Sequence, residues 1–265
     1  MKKTILTLLT ALLVLSPVEA KDKQKRNHKD NTVTLYVTRH GKTMLNTLDK
    51  VQGWSDTPLT EEGVVVAEYL GKGLKAEGVM FDAAYSSDLG RARETARIAL
   101  KAKGQDDMTL VEVPQLRETN FGSYEGDKNK VMWNDAALYL HFKSSDELFE
   151  ALKKDPALLE QAINTFATLE TLGVGEDYAT VKARGQKALR DIAEKEAANG
   201  GGDILVVGHG MSIGVFLSDL DANGKKSTGG HMGNAAVSKL VYKDGKFYLE
   251  SFGDMSYVEK GKQVK

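Results

Sequence analysis

Two short apolar runs lie far apart in the chain and end in the same way, and this feature constrains the fold most. Val33–Thr38 (VTLYVT) leads into Arg39-His40-Gly41, and Ile204–Val207 (ILVV) leads into Gly208-His209-Gly210. Apolar, β-branched runs of this length read as strands buried on both faces. Helical patterns and further short strands alternate between them, which predicts a mostly parallel sheet with helices on both sides. Ligands of open α/β sheets bind beyond the carboxyl ends of the strands. His40 and His209 are therefore expected on one edge of the sheet, where a site belongs. The glycine after each is expected to let backbone approach a ligand closely.

The intervening pattern fills in an α/β architecture. Helices are expected over Thr60–Lys75, with Thr60 as N-cap, over Asp88–Lys101, with Leu89, Ala92, Ala96 and Ala99 on its apolar side, and over Tyr178–Ala198 and Ser212–Leu220. Ala83–Ser86 and Thr109–Val113 read as strands. From Asp127 to Gly173 the pattern is helical, with breaks at Ser144-Ser145 and Pro156. Lys243-Asp244-Gly245-Lys246 joins Ala236–Tyr242 and Phe247–Phe252 as a hairpin, which makes the sheet mixed. The expectation is a three-layer α/β sandwich over 33–258, with a helical insertion at about 127–175 and a C-terminal tail at 259–265.

The beginning of the chain reads differently. Lys2 and Lys3, the apolar stretch Ile5–Leu15, Pro17 and then Val18-Glu19-Ala20 have the layout of a secretory signal peptide over 1–20. That predicts export to the periplasm or the medium, with no stable membrane insertion after cleavage. Residues 21–32 are polar and basic, a flexible N-terminal tail. The 265 residues carry a net charge of -1, so no basic excess points to nucleic acid or an anionic membrane, and no cysteine is present to act as nucleophile or metal ligand. Nothing in the sequence specifies an oligomeric state.

Arg39 precedes His40, and Arg91 opens the helix after the Ala83–Ser86 strand, so both start from the histidine edge. Arginine keeps its charge and grips phosphate oxygens with a planar fork. Two arginines beside two histidines suit a phosphoryl group. Arg93 and Arg97 face elsewhere on the helix and read as solvated surface. His28, His141 and His231 lack the strand-to-glycine context.

These residues sit in segments that resemble the histidine phosphatase superfamily, in its phosphoglycerate-mutase-like branch. The segments are Arg39-His40-Gly41-Lys42-Thr43 with Asn46, Gln52-Gly53-Trp54 through Leu59-Thr60, Ser86-Ser87-Asp88-Leu89-Gly90-Arg91-Ala92, Leu116-Arg117-Glu118 through Phe121-Gly122 to Glu125-Gly126, and Val206-Val207-Gly208-His209-Gly210. They occur in the family's order from Val33 to about Phe252. The resemblance implies that His40 attacks phosphorus and becomes a phosphohistidine. It implies that Arg39, Arg91, His209 and Asn46 bind the phosphoryl oxygens, with Gln52 and Gly53 lining the site or simply forming a tight turn. Glu118 matches the family's proton donor to the leaving oxygen, which then activates water. No metal or other cofactor is implied, because the arginines supply the positive charge. The substrate is expected to be a small phosphorylated compound, and the helical insertion is expected to cover the site as a lid.

Two departures matter. Lys42 stands where many relatives carry glutamate or glutamine, and an added cation beside the pocket is expected either to favour anionic substrates or to depress the basicity of His40 slightly. Cofactor-dependent mutases of this family place an arginine after the proton donor and a pair in the insertion. Here Thr119 follows Glu118, and no arginine occurs from Asp127 to Ala183. Hydrolysis of a phosphate monoester is therefore expected over mutase chemistry, with a non-catalytic binder of phosphorylated ligands as the rival from another class.

Overall fold

A computed structural model describes residues 31–225 and 232–264. The segment read as a signal peptide and most of the basic tail after it lie outside the described residues, as does His231. Six strands form one sheet in the order β3-β2-β4-β1-β5-β6: β1 (Val33–Arg39), β2 (Phe81–Ser86), β3 (Leu110–Glu112), β4 (Gly202–Gly208), β5 (Val237–Lys243) and β6 (Lys246–Asp254). The first four are mutually parallel, and β5 and β6 close the β1 edge as an antiparallel hairpin. The sheet is mixed, as the sequence predicts.

The side chains of each strand alternate between two cores. Val33, Leu35 and Val37 of β1 join Ile204 and Val206 of β4 on one face, while Tyr36, Leu205 and Val207 point to the other. The first face is covered by α7 (Tyr178–Ala198) and α8 (Gly210–Phe216), and the insertion helices α4 (Asn129–Tyr139), α5 (Ser145–Lys154) and α6 (Leu158–Leu169) extend the same core, with α6 packed on α7. The second is covered by α2 (Glu61–Ala76), α3 (Gly90–Lys103) and the C-terminal α9 (Ser256–Gln263), leaving the short α1 (Met44–Thr47) beside the β1 turn. Central strands are thus buried on both faces, which is why they read as unbroken apolar runs.

Local chemistry sets the helix ends. Thr60 Oγ1 accepts the Gly63 N–H, and Asp177 Oδ1 accepts the Thr180 N–H, each satisfying a donor that the first turn leaves over. Pro156 separates α5 from α6. α3 starts at Gly90, not Asp88, because its cap comes from far upstream: Asp56 accepts the Gly90 N–H at 2.5 Å. The last residues are not a tail. Charge-rich Ser256–Gln263 hides its helical character in composition, yet α9 docks on α2 through two glycines. A Cβ at Gly261 would stand 1.8 Å from the Tyr69 carbonyl oxygen, and one at Gly73 would stand 1.7 Å from that of Tyr257. Trp133 of α4 packs edge-on to Phe166 of α6 at 5.0 Å, so it belongs to the packing of the insertion.

Candidate active site

Register brings the two histidines together. β1 and β4 pair in parallel from Val33 opposite Gly202 to Arg39 opposite Gly208. The next residue of each chain is His40 and His209, and the His40 N–H donates to the Gly208 carbonyl at 3.0 Å. Their rings lie 5.2 Å apart, and both are buried. Turn contacts fix the backbone around them. Thr95 Oγ1 accepts the Gly41 N–H at 2.9 Å, and Asn234 Nδ2 donates to the His40 carbonyl at 3.0 Å. Gly41 answers a packing demand rather than a ligand: a Cβ there would stand 2.5 Å from the Gly63 carbonyl oxygen at the start of α2.

The hydrogen bonds assign the protons on both rings. The Gly41 carbonyl can only accept, so His40 Nδ1, 2.7 Å away, carries the hydrogen. In the neutral ring this leaves the Nε2 lone pair available. Arg91 Nε can only donate, so His209 Nδ1, 3.1 Å away, accepts, and the neutral ring carries its hydrogen on Nε2. Among the described residues that buried Nε2 has no hydrogen-bond partner, and neither does the buried Arg39 Nε. Arg39 lies against the same turn, since a Cβ on Gly210 would stand 3.1 Å from its Nε. Buried donors without acceptors are costly. Two of them around one turn make a place for an anion.

Electrostatics keeps the rings neutral. Burial, then the positive charges of Arg91 and Arg39, push His40 well below its ordinary value, against the opposing Gly41 hydrogen bond. Burial also leads for His209, followed by Arg91, His40, Arg184 and Arg39. Lys42 takes no part, because its Nζ pairs with Glu62 at 2.7 Å on the surface. The expected influence of Lys42 on His40 is therefore not realised; the arginines exert it.

Glu118 lies buried against the His209 turn. Its Oε1 accepts the N–H groups of Thr119 at 2.9 Å and Ser212 at 2.8 Å, and its Oε2 accepts that of Met211 at 3.1 Å. Glu118 and the start of α8 are thus held as one unit. Arg91 is at the site, but its donors are spent on architecture. Nη1 reaches the Ser55 carbonyl at 2.9 Å and Asp56 Oδ1 at 3.0 Å, and Nη2 reaches the Gly53 carbonyl at 2.7 Å, with Gln52 O at 3.5 Å. Arg91 therefore orients His209 and holds the 52–56 loop, and at most its loosest N–H remains for a ligand.

The other expected contacts prove to be scaffolding in part. Asn46 Oδ1 accepts the Thr43 N–H in a capping box, so only its Nδ2 is left to face a ligand. Gln52 is engaged at both ends, accepting from Thr43 Oγ1 at 2.5 Å and donating to Thr57 Oγ1 at 3.0 Å. Gly53 is glycine because a Cβ would stand 2.2 Å from both Glu125 Oε1 and the Thr119 carbonyl oxygen. Glu125 was legible only as a motif position. Its carboxylate collects the N–H groups of Gly53, Trp54, Ser55 and Phe121 at 2.8–3.1 Å and so carries the whole loop. A separate cleft of about 290 Å³, lined by Tyr85, Gln115, Lys187 and Lys195 among others, includes neither histidine.

The pattern of the histidine phosphatase superfamily (branch 1) matches residues 35–255. The chain is similar to a metal-independent phosphoserine phosphatase from Arabidopsis thaliana, 29% identical over 84% of this chain and 82% of that protein. It is 36% identical to a 2,3-bisphosphoglycerate-dependent phosphoglycerate mutase from Parvibaculum lavamentivorans, over 42% of this chain and only 55% of the relative's length. The crystal structure of a phosphoglycerate mutase from Bacillus anthracis superposes with a TM-score of 0.81 at 42% identity, covering 89% of this chain and all of that one. The α/β fold is that of the phosphoglycerate mutase neighbours, and the chain belongs to the histidine phosphatase superfamily, branch 1.

Proposed function

We propose that the protein hydrolyses phosphate monoesters through a phosphohistidine on His40. The observation that carries this reading is the tautomer of His40: Nδ1 is tied to the Gly41 carbonyl, and Nε2 keeps its lone pair in a buried ring held neutral. A nucleophilic histidine needs both. In the first step Nε2 forms a bond to phosphorus, the phosphorus–oxygen ester bond breaks, and the leaving oxygen takes a proton from Glu118. In the second, water attacks phosphorus, its proton passes to Glu118, and the phosphorus–nitrogen bond breaks to release inorganic phosphate. Arg39 and His209 Nε2 supply donors to the phosphoryl oxygens, and Arg91 adds charge from behind.

Water as acceptor is supported by what is missing from reach. Arg184, the first arginine after the insertion, spends all five N–H groups inside the protein. Arg117 is committed to Asp88 in a two-pronged ion pair. The similarity to the phosphoserine phosphatase extends along most of both chains. Mutase chemistry is the second reading, favoured by the 42% identity to the Bacillus anthracis mutase structure.

We further propose that the insertion α4–α6 lies over the site as a lid, and that residues 1–20 direct export, on the strength of Lys2-Lys3, the apolar stretch and Ala20. Among the described residues no helix is long and apolar enough to cross a membrane.

The test is phosphate release from a panel of phosphate monoesters without added metal or bisphosphoglycerate, beside His40→Ala. Release that disappears in the variant supports the hydrolase. No release from any ester, with interconversion of phosphoglycerates once bisphosphoglycerate is added, moves the assignment to the mutase.

A further inference from the structure

Between Leu116 and Gly122 the chain has neither helix nor strand, so the peptide carrying Glu118 needs partners for its backbone from elsewhere. Arg184, in the second turn of α7, provides them. Its Nη1 donates to the carbonyls of Gln115 and Arg117, both at 2.8 Å, and its Nη2 donates to that of Glu118 at 2.8 Å. The remaining N–H groups grip Glu176 as a fork, at 2.7 and 2.8 Å. Both partners are mostly buried, with 15% and 13% of their side chains exposed. Glu176 holds the far side of the same turn, accepting the Asn120 N–H at 3.0 Å and donating its own N–H to the Asn120 carbonyl at 2.9 Å. The pair therefore brackets Glu118, and Trp54 Nε1 adds a second donor to the Glu118 carbonyl.

We propose that Arg184, locked by Glu176, is a positioning residue for Glu118: it touches only the backbone of the Glu118 segment and fixes the carboxyl that protonates the leaving oxygen. The assignment rests on the hydrolase reading above. A planar guanidinium fork serves three carbonyls and a carboxylate at once, and an ammonium does not. Glu176 lies where the chain returns from the insertion, so the same pair ties the insertion to the proton donor.

If Arg184 acts through Glu118, its loss matters most where the leaving group needs a proton. The experiment compares phenyl phosphate, which leaves as a basic phenolate, with p-nitrophenyl phosphate, which leaves unaided. Arg184→Ala is expected to lower kcat/KM for phenyl phosphate about 30-fold or more, a substantial part of what general-acid catalysis contributes, and for p-nitrophenyl phosphate less than about 5-fold. In a Glu118→Gln background, adding Arg184→Ala should change the phenyl phosphate rate less than about 2-fold, because the two residues work as one unit. Arg184→Lys and Glu176→Gln give the same ester comparison if the alanine variant does not fold. Equal losses on both esters, or losses that multiply in the double variant, overturn the assignment while leaving the hydrolase reading intact. A wild-type protein that cleaves neither ester nor any other monoester brings down both.

Discussion

Removing the Glu125 carboxylate tests whether the 52–56 loop is built as described. Four backbone N–H groups converge on it: Gly53 at 3.0 Å, Trp54 at 2.8 Å, Ser55 at 3.0 Å and Phe121 at 3.1 Å. Hydrogen bonds to a charged acceptor contribute about 1.5–3 kcal/mol each. They do not add in full, because Trp54 is partly exposed and water can refill part of the gap. A net loss of about 3–4 kcal/mol is expected for Glu125→Ala. Glu125→Gln keeps the shape but turns an amide NH₂ towards backbone donors, and should lose about half as much. The damage reaches the histidines, since the carbonyls of Gly53 and Ser55 hold Arg91, and Arg91 sets the tautomer of His209. Urea unfolding with an unchanged slope would give the stability loss, and phosphate release would give the functional one. If Glu125→Gln loses less than about 1 kcal/mol and keeps wild-type activity, the loop does not depend on this carboxylate and the reasoning fails.

Three further outcomes follow from the same contacts. His40 and His209 are held neutral when folded, whereas in the unfolded chain they take up protons below pH ~6.5; the unfolded state then binds more protons, so stability falls as pH drops below that value, by up to about 1.4 kcal/mol per pH unit for each ring. Unfolding curves of His40→Ala between pH 7 and 5 should show a shallower pH dependence than the wild type; an unchanged slope contradicts the buried neutral ring. Gly261→Ala forces a methyl into the Tyr69 carbonyl and should lower stability by about 2–3 kcal/mol while leaving substrate affinity unchanged, measured by denaturation and KM. Lys42→Ala removes only a surface partner of Glu62 and should leave kcat/KM within about 2-fold, the pair being worth under about 1 kcal/mol; a large drop would return Lys42 to the site.

What was legible in the sequence was local. Thr60 announces α2 because its side chain caps the helix that follows it directly in the chain. The histidine pair was legible because a buried strand and the glycine after it are written in consecutive residues. The supports of the site were not, because each joins distant positions through atoms that sequence patterns do not weigh. Asp56 caps a helix that begins 34 residues later. Glu125 and Arg184 act on backbone groups, which every residue carries, so no side-chain pairing marks them. Arg91 shows the limit from the other side: its chemistry suited a phosphate, but five internal acceptors were nearer. α9 is hard to read in the sequence because it buries only Val258 and part of Tyr257 and otherwise meets α2 through glycines and backbone.

The central claim is a covalent bond from His40 to phosphorus, and intact-mass spectrometry after rapid quenching reads it directly. Mixed with excess substrate and quenched under alkaline conditions, where phosphohistidine survives, the wild-type protein should gain one phosphoryl group, lose it on acidification, and yield a phosphopeptide that contains His40. His40→Ala should gain none. A phosphoryl group on another residue, or one that forms equally in His40→Ala, would contradict the account.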